Sequence, residues 1–167
     1  VPHAAALTAA SGFGLIARGG DVLESAAEVK IALLDKTGTL TSGRPTISGI
    51  SVAKGEEESR VLRIAAGLEA RSNHPYAMTI IQEAEARSLS PMSISQITDG
   101  DAGVLGVYRG DYVMLGRADW LRSQEVSIPG EIEEALEESR NAGKGASILS
   151  VGGSAIAAIS FAHDDAR

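Results

Sequence analysis

The chain has 167 residues, 15 Lys and Arg against 22 Asp and Glu, a net charge of -7 and no cysteine. That length suits one ordinary domain with a sizeable core. The acidic balance argues against a nucleic-acid partner, which requires a basic stripe, and the absence of thiols excludes disulfides, thiolate metal sites and cysteine nucleophiles. Aromatics make up only 4% of residues within a hydrophobic fraction of 44%, so the core has to be built from Ala, Ile, Leu and Val.

In chain order, the longest weakly charged run is Ala4–Ala17, interrupted by Thr8, Ser11, Gly12 and Gly14. A bilayer span takes about 18–20 apolar residues, and no charged segment precedes the run as in a signal peptide, so the chain is expected to be soluble. Residues 1–18 are Ala-rich and predict a helix ended by Gly19-Gly20; Asp21 then caps a short helix to about Glu28. Ile31-Ala-Leu-Leu34 is a continuous apolar run, as in a strand buried on both faces, and leads into Asp35-Lys-Thr-Gly-Thr-Leu-Thr41. Thr46–Ala53 alternates like a half-buried strand. From Glu56 to Ala70, Val61, Leu62, Ala65 and Leu68 form the stripe of an amphipathic helix, and Pro75 opens a second helix to about Ser88. Strands follow at Ile94–Ile97, Val104–Tyr108 and Tyr112–Leu115, with a hairpin turn at Arg109-Gly-Asp111. Pro129 begins an amphipathic helix through about Asn141. Two last strands, Ala146–Val151 and Ala155–Phe161, meet at Gly152-Gly153. The order describes an α+β domain with an antiparallel sheet, preceded by the start of a parallel α/β unit.

Asp35 sits at the C-terminal end of the expected buried strand, where open α/β sheets present functional groups. A carboxylate there can attack a phosphoryl group and form an acyl phosphate. Phosphoryl transfer is mostly positioning and charge neutralisation, which the cation of Lys36 and the hydroxyl of Thr37 can supply. Gly38 lets the backbone turn tightly beside a phosphate. By residue type alone, a polar strand-to-loop turn accounts for the segment equally well.

The complete spelling, Asp35 to Thr41, resembles the seven-residue phosphorylation signature of P-type ATPases. The resemblance implies that Asp35 takes the γ-phosphoryl of ATP, assisted by Lys36 and Thr37, with Mg²⁺ at Asp35 and Thr37. Ser72-Asn-His-Pro75 resembles the Ser-x-His-Pro motif of the heavy-metal-transporting, CPx-type branch, whose glutamate five positions before the histidine is matched by Glu69. It implies that His74 holds the adenine and that Glu69 lies at its edge; a His-Pro pair that merely opens a helix is the alternative. Gly103-Val104, with Gly106 and Gly110, is similar to the second half of the family's Gly-x-Gly-Val turn, which places Asp101 where the first glycine belongs. A carboxylate there repels a triphosphate by roughly 1 kcal/mol at 4 Å in water, so nucleotide affinity is lowered or the loop rearranged. Leu115-Gly116-Arg117 is similar to Val-Gly-Asn, with Arg117 either meeting a phosphate or simply exposed. Asp164-Asp-Ala-Arg167 resembles the Asp-x-x-Arg hinge.

The implied architecture is α/β: residues 1–44 hold the end of a membrane or stalk segment and the start of a Rossmann-like, haloacid dehalogenase-type phosphorylation domain. Residues 45–160 form an α+β nucleotide-binding domain, with Glu69, His74, Gly103 and Gly116 at the nucleotide, and 161–167 return to the phosphorylation domain. The implied partners are ATP, the remaining domains of the same transporter, and a heavy-metal cation handled only by membrane helices; this portion would be cytoplasmic in a multi-pass membrane protein. The family's acidic segments that complete the Mg²⁺ site follow the Asp-x-x-Arg, so this chain alone is expected to bind nucleotide weakly without turnover. Val1-Pro-His3 stands closer to Asp35 than the family's Cys-Pro-His metal motif does, which argues against a transport ligand at His3. Two alternatives remain. One is a soluble haloacid dehalogenase-type phosphotransferase or phosphatase, which carries Asp-x-Asp where this chain has Thr37; the other is a degenerate nucleotide sensor, suggested by Asp101.

Overall fold

The computed structural model describes residues 41–165, which belong to one compact unit. The strand expected at 31–34, the helices expected before it, and Asp35, Lys36 and Thr37 lie outside the described residues, as do Ala166 and Arg167 of the expected hinge. The described part is a six-stranded, wholly antiparallel sheet with strand order β1-β6-β5-β4-β3-β2. The strands are β1 (Thr41–Val52), β2 (Ser95–Gly100), β3 (Gly103–Tyr108), β4 (Asp111–Gly116), β5 (Gly145–Val151) and β6 (Ser154–Asp165). The helices are α1 (Glu58–Glu69), α2 (Pro75–Ala86), α3 (Ala118–Ser123) and α4 (Gly130–Asn141).

Two hairpins follow from turn chemistry. Arg109-Gly110 (φ 50° and 84°) joins β3 to β4, and Gly152-Gly153 (φ 61° and 84°) joins β5 to β6. Two consecutive positive-φ residues give the turn whose twist matches that of the flanking strands. Period-two alternation then sorts the side chains. Val113, Leu115, Leu149, Ala157, Ile159 and Phe161 face α1 and α2, whereas Met114, Ile148 and Ala158 face α3 and α4. Between Leu149 and Ser150 the β5–β6 register slips, and both Ile156 and Ala157 reach the α1–α2 side, as an extra residue in a bulged strand does. Alanines at 155, 157 and 158 in β6 keep the sheet thin under both helical layers, consistent with the scarcity of aromatics.

Helix α1 is buried over a wider arc than its expected stripe, with Ile64 and Ala66 joining Val61, Leu62, Ala65 and Leu68, because it is wedged between the sheet and α2. Helix α3 is absent from the expected elements. It has six residues and only Leu121 is fully buried, so its periodicity is too short to register. Strand β1 starts earlier and β6 ends later than expected, at the pair Thr41 and Asp165. Edge strand β2 is broken by Gln96 (φ 52°) and a register shift between Ser95 and Thr98; such irregularity blunts an exposed edge. Among the described residues, no helix is long and apolar enough to cross a membrane.

Gly67 shows how tightly α1 is held. A Cβ there would overlap the Met92 carbonyl oxygen and lie 2.9 Å from Ile94 Cγ1. The segment cannot drift away, because Met92 N donates to Arg63 O at 2.9 Å and Arg63 Nε to Ser90 O at 2.8 Å. Alanine would gain up to about 1 kcal/mol in helix propensity, while overpacking costs about 1–3 kcal/mol. Gly67→Ala is therefore expected to lower stability by about 1–2 kcal/mol in urea denaturation; a stabilised variant would refute the packing argument.

Candidate functional site

The loop from α1 to α2 is built by short-range caps. Pro75 occupies the first helical position, where its missing N–H costs nothing. His74 is the N-cap, and its Nδ1 accepts from Tyr76 N at 3.1 Å. Ser72 Oγ in turn accepts from His74 N at 3.2 Å. An Nδ1 that accepts must be unprotonated, so this hydrogen bond assigns the proton of the neutral ring to Nε2. Capping and exposure to a cleft thus coexist in His74, and the two sequence readings of the His-Pro pair are compatible.

Glu69, His74, Gly103 and Gly116 all line one cleft of about 240 Å³, together with Ser72, Tyr76, Asp99, Asp101 and Arg117. Asp35, Lys36 and Thr37 lie outside the described residues. The glycines meet as a cross-strand pair between β3 and β4. A Cβ on Gly116 would lie 2.8 Å from both Gly103 Cα and Trp120 Cε3; one on Gly103 would lie 2.6 Å from Trp120 Cζ3. The bare backbone therefore makes the cleft floor and also admits the α3 indole against it. Arg117 N donates to Ala102 O at 3.1 Å, fastening the β2–β3 turn to the end of β4. Asp101 lies in that turn and keeps a negative φ, so the conformation has no need of a glycine there.

Glu69, the last residue of α1, is 8% exposed, and its Oε2 has no hydrogen-bond partner among the described residues. Burial pushes its pKa up from 4.5 to about 7, Asp99 pushes the same way, and the Ser72 hydroxyl pulls it down. Near neutral pH such a carboxyl can accept from an exocyclic amine in one state and donate to a ring nitrogen in the other. His74 offers an imidazole face beside it, and aromatic faces hold nucleobases by stacking. Among the described residues, no three His, Asp or Glu side chains come together as a metal site.

Tyr76 and Asp99 carried no signal in the sequence. The Tyr76 ring stacks on Phe161 (3.8 Å, 3°) and meets His74 edge-on at 4.9 Å. Its hydroxyl lies 3.0 Å from His163 Nε2, and burial raises its pKa. The contact spans 87 residues of sequence, and no local pattern encodes it. Asp99 is recognisable only once β2 is seen to end at the cleft.

The Glu69 shift sets a sign for stability against pH. The native carboxyl keeps a proton that the unfolded chain releases near 4.5, so stability falls as pH rises from about 4.5 to 7 and levels off above. The loss is at most about 3 kcal/mol at 1.36 kcal/mol per unit. Glu69→Gln should remove that slope from the urea midpoints measured between pH 4.5 and 8; an unchanged slope would show that Glu69 is not its source.

The haloacid dehalogenase-like hydrolase family model matches residues 29–166. Among the relatives, the chain is 43% identical over 109 residues to the chloroplastic copper-transporting ATPase PAA2 of Arabidopsis thaliana, covering 65% of this chain and 12% of that protein. The N-domain of HMA8, a copper-transporting P-type ATPase, superposes with a TM-score of 0.60 at 26% identity, covering 70% of this chain and 99% of that one. A zinc-transporting PIB-type ATPase in the E2P state superposes with a TM-score of 0.67 at 26% identity, covering 96% of this chain and 26% of that one. The chain thus spans about an eighth of the length of its plant relative. It belongs to the haloacid dehalogenase-like hydrolase family, and its relatives there are copper- and other heavy-metal-transporting P-type ATPases.

Proposed function

We propose that the chain is the ATP-binding and phosphorylation portion of an ATP-driven heavy-metal cation transporter. The observation that carries the reading is the convergence of Glu69, Ser72, His74, Gly103 and Gly116 on one cleft, in a chain that also spells Asp35-Lys-Thr-Gly-Thr-Leu-Thr41. Nothing in local sequence requires residues 69–74 and 103–116 to meet; the fold brings them together.

In this reading the purine enters edge-first toward the orphaned Glu69 oxygen, its face against the His74 imidazole, over the Gly103–Gly116 floor. A Cβ at either glycine would collide with the facing strand and with the Trp120 ring, so the strand pair that forms the floor tolerates no side chain at these two positions. An oxygen of Asp35 attacks the γ-phosphorus, the bond from that phosphorus to the β,γ-bridging oxygen breaks, ADP leaves with the electron pair, and an aspartyl phosphate remains. Lys36 and Thr37 steady the phosphoryl oxygens. Mg²⁺, held by Asp35 and Thr37, would neutralise charge on the phosphates. Metal transport belongs to the rest of the transporter, reached through membrane helices, with this portion on the cytoplasmic side.

Binding and chemistry are tested separately. Titrating the chain with ATP should shift the His74 ring resonances saturably, and His74→Ala should weaken binding about tenfold, the equivalent of 1.4 kcal/mol. An intact fold with no shift at millimolar ATP would refute the adenine role. In the full-length transporter, γ-labelled ATP should leave acid-stable label that hydroxylamine removes, and Asp35→Asn should abolish it; label surviving in that variant would move the nucleophile elsewhere.

A further inference from the structure

The cleft is chemically lopsided. Its inner end is the Glu69 carboxyl, more than nine-tenths buried and with Oε2 unpartnered among the described residues, a place that takes a hydrogen-bond donor. Its rim carries Asp99 and Asp101, both exposed, with Arg117 beside them. Arg117 does not balance the two. Its side chain is 65% exposed and its Nε lies 3.5 Å from Asp119 Oδ1, so its charge is spread into solvent and shared with another carboxylate. His74 Nδ1 is already engaged by Tyr76 N and is not turned to the rim carboxylates. A ligand reaching Glu69 with an amine therefore has to pass any anionic tail across an acidic rim.

We propose that Asp101, reinforced by Asp99, makes the cleft select against phosphate charge, so that without divalent cations it ranks adenosine and AMP above ADP and ATP. The proposal rests on the reading that a purine occupies the Glu69–His74 end. On that reading the base anchors the ligand and the polyphosphate is driven off the β2–β3 turn toward solvent. Each carboxylate–phosphate pair near 4 Å is worth about fivefold in affinity at the dielectric of water, and salt weakens it. The negative φ of Asp101 and its exposure mean that its charge can be removed without disturbing the turn.

The test is calorimetric titration of the whole chain with adenosine, AMP, ADP and ATP in a chelator, at about 0.05 and 0.5 M salt. In the native chain at low salt, ATP should bind about tenfold more weakly than adenosine, with the gap narrowing at high salt. In Asp101→Asn the gap should shrink to about threefold or less; Asp101→Gly serves if the first variant melts early. ATP binding as tightly as adenosine to the native chain would overturn the proposal. So would a gap unchanged in Asp101→Asn, Asp101→Gly and Asp99→Asn alike. If adenosine binds neither the native chain nor any variant, the purine reading itself falls, and the ranking with it.

Discussion

The architecture of the cleft depends on a space in which no Cβ fits. Gly103 and Gly116 face each other across β3 and β4, and Trp120 of α3 lies against both. Several features follow from that one close approach. It draws α3 onto the end of β4, lets Arg117 N reach Ala102 O, and so fixes the two-residue turn that presents Asp101 at the cleft rim. Glycine is costly in a strand, by roughly 0.5–1 kcal/mol relative to alanine, and two glycines opposite each other compound the cost. Packing the indole over them offsets it, since an aromatic side chain buries about 150–250 Å². The backbone of the same two glycines lines the cleft, so the packing of Trp120 sets the position of that part of the cleft wall.

The opposite wall is held by different physics. Helix α1 is buried almost all round, and it ends where Glu69 is still inside the protein. A carboxylate that deep, with one oxygen unpartnered, is unfavourable in the empty cleft, and the upward shift of its pKa expresses that cost. A hydrogen-bond donor placed against that oxygen would relieve it. His74 is treated in the opposite way. Its Nδ1 is committed to Tyr76 N and its ring rests against the edge of Tyr76, which fixes the imidazole before any ligand arrives. One wall is preorganised and the other is left wanting a donor.

Much of this was legible in sequence, and the failures have physical causes. The two hairpins could be read because Arg109-Gly110 and Gly152-Gly153 specify their turns locally. Helices α1, α2 and α4 could be read because three turns of periodicity, or a Pro at the first position, are local signals too. Glu69 and His74 stood out only through the resemblance of Ser72-Asn-His-Pro75 and its preceding glutamate to a family motif, and the structure sets both at one cleft. Helix α3 escaped because six residues with one fully buried side chain, Leu121, are too few to show a period. The slip that puts Ile156 and Ala157 on one side of the sheet also escaped, since alternation assumes an unbroken period of two. Tyr76 escaped because two of its neighbours, Phe161 and His163, are brought to it only by the fold.

Tyr76 also joins the cleft to the strands through which the chain enters and leaves the sheet. β1 and β6 are neighbours, running antiparallel from the pair Thr41 and Asp165 at their open end. Helix α2 is fastened to this ribbon twice. Thr79 Oγ1 donates to Pro45 O on β1 at 2.9 Å, and Tyr76 stacks on Phe161 and meets His163 on β6. Gly145 on β5 leaves to the Tyr76 hydroxyl the place that a Cβ would fill, so the ring lies directly against the sheet. His74, at the N-cap of the same helix, is therefore rigidly referred to the two strand ends. The β2–β3 rim, by contrast, belongs to an irregular edge strand at the far side of the sheet from that ribbon, so the two walls of the cleft are anchored to opposite edges of one sheet.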